Sequence, residues 1–297
     1  MGVMGAFVFA AQMINVAIPG TGSSGHLGGG LLLAVLLGPH AALLAISSVL
    51  IVQALFFADG GLLALGCNIV NLGIIPAYLI YPFCFQPLAG PCPTASRRSA
   101  AIMIAALLAL QSGALAVVLQ TTVSGITALP FTSFVLLMQP VHLAIGLLEG
   151  VVTAAVVTLV STARPELLAL QPLASPTGLP LRRLLVGFFV AAVLTGGLGS
   201  LGASDKPDGL EWAIRQVAGS AELTNPESGL HRLLARLQEQ VALLPEYDFR
   251  QPGTPSPAAG ASAAQWGTSL AGLVGGGITV LLLSLGALVL GMRRGNP

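Results

Sequence analysis

Seven stretches of the chain stay apolar long enough to cross a bilayer: Gly2–Ile18, His40–Ala58, Leu62–Tyr81, Ala100–Thr122, Val141–Thr162, Leu184–Leu201 and Thr268–Gly291. A spanning helix needs about 20 mostly apolar residues at 1.5 Å rise each. An eighth run, Gly28–Leu37, is equally apolar but too short to span. It reads as a short or re-entrant helix ended by the turn Gly38-Pro39. Between the last two spans the pattern changes character. Leu230, Leu233, Leu234, Leu237, Val241 and Leu244 recur at the helical period among polar residues, and Pro245 ends the run. The pattern predicts an all-α, polytopic membrane helical bundle of about six core helices, one of them short, followed by a two-span module with an extracytoplasmic loop.

Composition supports this reading. Of 297 residues, 55% are hydrophobic and only 8% charged, and mean hydropathy is +0.88. Soluble domains carry about 25% charged residues, so lipid must cover much of this exterior. A net charge of +1 supplies no long-range field and argues against a nucleic-acid partner. Cys67, Cys84 and Cys92 form no C-x-x-C pair and read as isolated thiols.

Charge placement sets an orientation. Arg97, Arg98, Arg164, Arg182, Arg183, Arg293 and Arg294 all fall on one side of the predicted layout, which the positive-inside rule makes cytoplasmic. The C-terminus is then inside. The loop Gly20–Gly29, the turn at Asp59 and the stretch 204–265 are outside. Proline breaks the chain at Gln171–Arg183, and Gln251–Ala264 has the Pro/Gly/Ala/Ser composition of a flexible tether. We therefore expect a core over 1–170, a cytoplasmic linker over 171–183 and an accessory module over 184–297.

Candidate chemistry concentrates in Pro19-Gly-Thr-Gly-Ser-Ser-Gly-His26-Leu-Gly-Gly-Gly30. Gly20, Gly22 and Gly25 match G-x-G-x-x-G, but that fingerprint belongs after a strand in a βαβ unit, and here an apolar helix precedes it. As a phosphate-binding loop the run fails, because His26 stands where the lysine belongs. Gly22-Ser-Ser24-Gly25 resembles the G-x-S-G of rhomboid-type intramembrane serine proteases, with Ser24 as nucleophile and His142 as base. The other signatures of that family are absent. The remaining readings are metal capture, with His26 supplying an imidazole that suits Ni(II), Co(II) or Zn(II), and a loop whose histidine only hydrogen-bonds its surroundings. The last of these would make the chain a structural membrane protein with no ligand.

Polar groups at membrane depth carry a cost and so carry information. Gln53 and Asn68, flanking the turn Asp59-Gly60-Gly61, are expected to bond neighbouring helices or the glycine loop. His142 and Glu149, seven residues apart, share one helix face. His142 is a candidate ligand or cap, and Glu149 is either a packing lock or part of an ion path. In the second module, Lys206-Pro-Asp208-Gly-Leu-Glu211-Trp212 reads as a turn and a capped helix start, with Trp212 at the interface or pinned to the core.

Several contiguous runs resemble the CbiM/NikM family, the metal-capturing membrane subunits of energy-coupling-factor (ECF) importers for nickel and cobalt. They are Met4–Asn15, Gly20–Gly30, Val52–Gly61, Ala64–Asn68 and Gln139–Gly150. Lys206–Trp212 resembles the Pro-Asp-Gly-Leu-Glu signature of the family's small accessory subunit, here fused as the second module. The resemblance implies a non-enzymatic substrate-capture component in a prokaryotic plasma membrane. It would take Ni(II) or Co(II) from outside and work with an ECF coupling transmembrane subunit and ATP-binding cassette ATPases. His26 falls on the family's ligating loop histidine, and Asn68, Asp59 and His142 are further candidates. The family's other donors come from an amino-terminal Met-His-Ile start. This chain opens instead on Met1-Gly2-Val3, at what corresponds to the family's second span, so the resemblance leads us to expect a longer native start.

Overall fold

The computed structural model describes residues 1–125, 129–168, 179–219, 229–249 and 261–294. The chain begins with α1 (Gly2–Gln12) and continues through a two-residue hairpin, β1 (Val16–Ala17) and β2 (Ser24–Gly25), into α2 (Gly30–Leu37) and α3 (Pro39–Phe56). Then come α4 (Leu65–Ala89), α5 (Ala95–Ser124), α6 (Phe131–Ala163) and α7 (Leu181–Gly197). Two short helices, α8 (Gly209–Ala218) and α9 (Gly229–Val241), precede the final α10 (Ala261–Arg294). Among the described residues six helices are long and apolar enough to cross a membrane, so the chain is a multi-pass, all-α membrane protein. The expected linker and tether fall largely on 169–178 and 250–260, outside the described residues.

One expected span is corrected. Over Gly2–Ile18 the helix stops at Gln12 and is 11 residues long, shorter than a crossing. The next residues turn into the hairpin, where Val16 pairs with Gly25 and Ala17 with Ser24. Ile18 packs with Val141 and Ile145 of α6 instead of extending a helix into lipid.

Small residues bring the helices together, as expected where lipid is as apolar as the side chains and close backbone approach supplies the attraction. Gly146 and Gly150 of α6 lie against Leu107 and Met103 of α5. Gly196 of α7 meets Gly272 of α10, backbone to backbone, and Ser200 and Ser269 hydroxyls are 2.9 Å apart beside that crossing. Phe9 of α1 lies directly over Gly275, where an added Cβ would overlap its ring. Through α1 the two C-terminal spans are therefore built onto the core. Helix α4 carries Pro76 and Pro82 and is wound in wide turns over Val70–Phe85, consistent with prolines that cannot donate to the helical ladder.

Helix α2 is apolar on every side, and Leu31, Leu32, Leu33 and Ala34 are fully buried. It packs against α3 and α4, so protein rather than lipid surrounds its unpaired ends, the condition under which a broken helix is tolerated at membrane depth. An added Cβ on Gly30 would overlap the Leu72 carbonyl of α4.

Candidate metal-capture site

The glycine-rich loop is a braced hairpin. Gly20 and Gly22 turn its tip with φ of 79° and 81°, a region L-residues other than glycine rarely adopt. Thr21 Oγ1 donates to the Ile18 carbonyl at 3.0 Å, and the Ser23 amide donates back to Thr21 Oγ1 at 3.1 Å. The second module grips the same hairpin from outside the core. The Ser24 amide donates to the Pro207 carbonyl at 2.7 Å, and the Ser24 hydroxyl donates to the Lys206 carbonyl at 2.7 Å. Asp208 caps α8, accepting from the Glu211 amide at 2.7 Å. Trp212 packs on the cluster of Ile18, Val141 and Ile145, which makes it a pin to the core.

Below the hairpin, Glu149 does what neither sequence alternative specified. It is 1% exposed, and its carboxylate accepts from the amides of Gly28 at 2.8 Å and Gly29 at 3.2 Å. Gly29 is the N-cap of α2, at φ 80°. A carboxyl group of α6 therefore supplies an acceptor that an all-apolar helix lacks, at the helix end where amides have no intrahelical partner. From α3, Gln53 Nε2 donates to Gln12 Oε1 and Gln12 Nε2 donates to the Gly28 carbonyl, both at 2.9 Å. Gly28 is thus held at both its amide and its carbonyl.

His26 stands between these supports. Its Nδ1 lies 3.0 Å from the Leu27 carbonyl. A carbonyl can only accept, so Nδ1 carries the proton and Nε2 the lone pair. The ring borders two cavities. An inner one of about 160 Å³ is lined by His26, Asn68, Asn71, His142, Glu149 and Asp208 among others. An outer, more polar one of about 200 Å³ includes Asn15, His26, Asp59, Asp208 and Glu246. His26 and Asp208 line both. The structure therefore brings His26, Asn68 and His142 to one cavity and places Asp59 in the other.

Asp59 is already engaged: the Tyr247 hydroxyl donates to its Oδ2 at 2.5 Å. Burial, and next the Asp59 charge, push the Tyr247 phenol well above its ordinary range, so the proton stays on tyrosine. His142 Nδ1 bonds the Met138 carbonyl of its own helix at 2.8 Å, and Ser24 is spent on Lys206, which separates the serine–histidine pair. Among the described residues no three histidine, cysteine, aspartate or glutamate side chains gather closely enough to hold a metal ion. An imidazole nitrogen with amide oxygens of Asn68 and Asn71 nearby is a donor set for a borderline ion that retains water.

Sequence reasoning missed Gln12 and the reciprocal amide pair of Asn71 and Gln120, at 2.9 and 3.0 Å. The rule that singled out Gln53, a polar group inside an apolar helix, applies equally to all three. The Lys206 and Pro207 carbonyls had no comparable signal, because every residue has a carbonyl.

The polar groups of this multi-pass helical protein converge on a loop beside a cavity among its helices, and comparison with known proteins places the chain among membrane transport proteins. Residues 1–167 match the CbiM family, described as the cobalt uptake substrate-specific transmembrane region, and residues 182–292 match the PDGLE domain. A chain of Archaeoglobus fulgidus assigned as a fused nickel transport protein NikMN is 32% identical over 285 residues, 96% of this chain and 83% of its own length. The fused nickel transport protein NikMN of Rhodobacter capsulatus is 33% identical over 268 residues, 82% and 76% respectively. The cobalt transport protein CbiM of Sorangium cellulosum is 35% identical over 176 residues, 57% of this chain and 75% of its own. No solved structure matches. The chain belongs to the CbiM family, joined to a PDGLE domain. It is a metal-transport protein, not an enzyme, which removes the serine-hydrolase alternative.

Proposed function

We propose that this chain is the substrate-capture component of an energy-coupling-factor importer, taking Ni(II) or Co(II) from outside the cell for ATP-driven uptake. Partner subunits, a coupling transmembrane protein and ATP-binding cassette ATPases, supply the energy. The observation that carries the reading is the position of His26: its ring borders two cavities on a hairpin fixed by the core from below and by the second module from above. The outer cavity, with Asp59, Asp208 and Glu246, receives the hydrated cation. His26 Nε2 then ligates it at the entrance to the inner cavity, with Asn68 and His142 as further donors. About 10–15 Å³ of such space holds one water, so the inner cavity has room for the ion and several waters.

In this reading the loop end faces outside, the arginine end is cytoplasmic, and the C-terminus lies inside the plasma membrane. The capture core is 1–170 and the accessory module 184–297, joined by the linker 171–183, with 204–265 outside. Uptake of radiolabelled nickel and cobalt by cells carrying the complete transporter tests the assignment. His26→Ala should abolish uptake of the transported ion while leaving the chain in the membrane. Undiminished uptake would overturn the ligand assignment, and no uptake of either ion by the wild type would overturn the function.

A further inference from the structure

Helix α9 has an apolar stripe that the fold leaves bare. Leu230, Leu233 and Leu237, at i, i+3 and i+7 on one face, are 57%, 64% and 45% exposed. Arg232, Arg236 and Glu239 point elsewhere around the helix, while Leu234 and Val241 on the adjoining flank are half-buried. The helix packs beside α3, and the residues after it fix its height. The Leu243 amide donates to the Phe56 carbonyl and the Glu246 amide to the Phe57 carbonyl, both at 2.7 Å, so the C-terminal end of α9 is stitched to the last turn of a spanning helix.

A second marker gives the same level. Trp266, in the first turns of α10, is 61% exposed, and tryptophan is enriched at membrane–water interfaces. The next residue, Gly267, lies against Tyr247 and Asp248, so the segment following α9 runs at the height of that indole. Leu243 and Phe249, in the same segment, are exposed as well. The bare leucines of α9 therefore start from a belt of exposed apolar groups at the end of the spans.

We propose that α9 is an interfacial helix, docked on the phospholipid surface of the leaflet at the loop end, with Leu230, Leu233 and Leu237 inserted at the acyl boundary and Arg232 and Arg236 turned to headgroup phosphates. Such a helix carries a strong apolar face opposite basic residues and lies in the interface without crossing it. Lipid is the occupant because the stripe begins where lipid already covers the spans, and because long arginine stems reach back to phosphates from that depth. Docking would hold the part of the second module that reaches Asp59 through Tyr247.

The test places a fluorophore at Leu233→Cys, Leu237→Cys or Glu239→Cys in the full chain, with Cys67, Cys84 and Cys92 replaced by serine. The chain is reconstituted in phosphatidylcholine–phosphatidylglycerol vesicles. Doxyl-labelled phospholipid should quench the labels at 233 and 237 several-fold more than the label at 239, and aqueous iodide should show the reverse order. Equal iodide quenching at all three positions would overturn the proposal. So would shielding of 233 and 237 from both quenchers, which would mean that protein, a second copy or another chain, covers the stripe. If the cysteine-free chain fails to fold, the unmodified chain is reacted with a photoactivatable phospholipid. Adducts within 229–241 support the proposal, and their absence there, with adducts on the spans, refutes it.

Discussion

The glycine loop with α2, and the described stretches 204–219 and 229–247 of the second module, solve opposite versions of one problem. Both contain helices too short to cross a membrane. Helix α2 is apolar all round and survives because protein encloses it and Glu149 caps it. Helices α8 and α9 are strongly two-faced, and each buries only part of itself. The first region is tightly held: the Gly28 and Gly29 amides that lead into α2 share one carboxyl group from a residue about 120 positions away. The second region is held to the core by backbone hydrogen bonds in both directions, by Tyr247 and by Trp212.

The contrast can be broken most forcefully in the first region. Glu149→Ala leaves the Gly28 and Gly29 amides buried without acceptors, and each such group costs about 1–3 kcal/mol. Thermal unfolding in detergent should fall accordingly, and hydrogen exchange should accelerate at Gly28–Leu31 more than along α6. Glu149→Gln keeps one acceptor and should lie between the two. If exchange at the loop is unchanged in Glu149→Ala, the cap is not what holds α2.

Gly30→Ala tests the same rigidity by crowding. Its Cβ would meet the Leu72 carbonyl, a backbone atom that cannot rotate away. Overpacking of this kind costs about 1–3 kcal/mol, and the loss should appear as a lower melting temperature.

The second region should respond much less. Leu233→Ser removes an exposed side chain and should change stability in detergent by no more than about 0.5 kcal/mol. A larger loss would mean that the leucine packs on protein, which would erase the distinction between the two regions.

The smallest expected effect has a definite sign. Burial first, and the Asp208 charge second, raise the Glu211 carboxyl above its ordinary value. Its folded-state pKa then exceeds the unfolded one, so the stability it contributes is present when protonated and lost as pH rises through the folded value. Glu211→Gln should therefore melt slightly higher than the wild type at pH 7, with the difference closing as pH falls through the carboxylate range. A gap that persists at low pH would point to packing instead.

Much of this molecule was legible as a line of residues. Twenty-residue apolar runs identify spans because an unpaired backbone group in lipid is so unfavourable that the pattern has few alternatives. The short α2, the turn at Gly38, the Asp208 cap and the periodic leucines of α9 all follow from local chemistry, and the contiguous motifs pointed to the family that the comparisons show. The expected span Gly2–Ile18 went wrong because apolarity does not say whether a segment faces lipid or protein. Ile18 is apolar because it packs on Val141 and Ile145, while Val16 and Ala17 form the first strand of the hairpin.

The sequence by itself therefore determined the class, a multi-pass helical membrane protein, and marked where arginines collect and which loop carries the histidine. Tertiary structure alone decided what those groups touch. Glu149 could be read as costly from its position in a span, but its partners are backbone amides of another element, and no residue type marks an amide. Asp59 and Asn68, nine positions apart, border different cavities because the turn between them faces two ways. A pattern along one chain records which residues prefer lipid or water, whereas a site depends on distances between elements, and those exist only once the helices have packed.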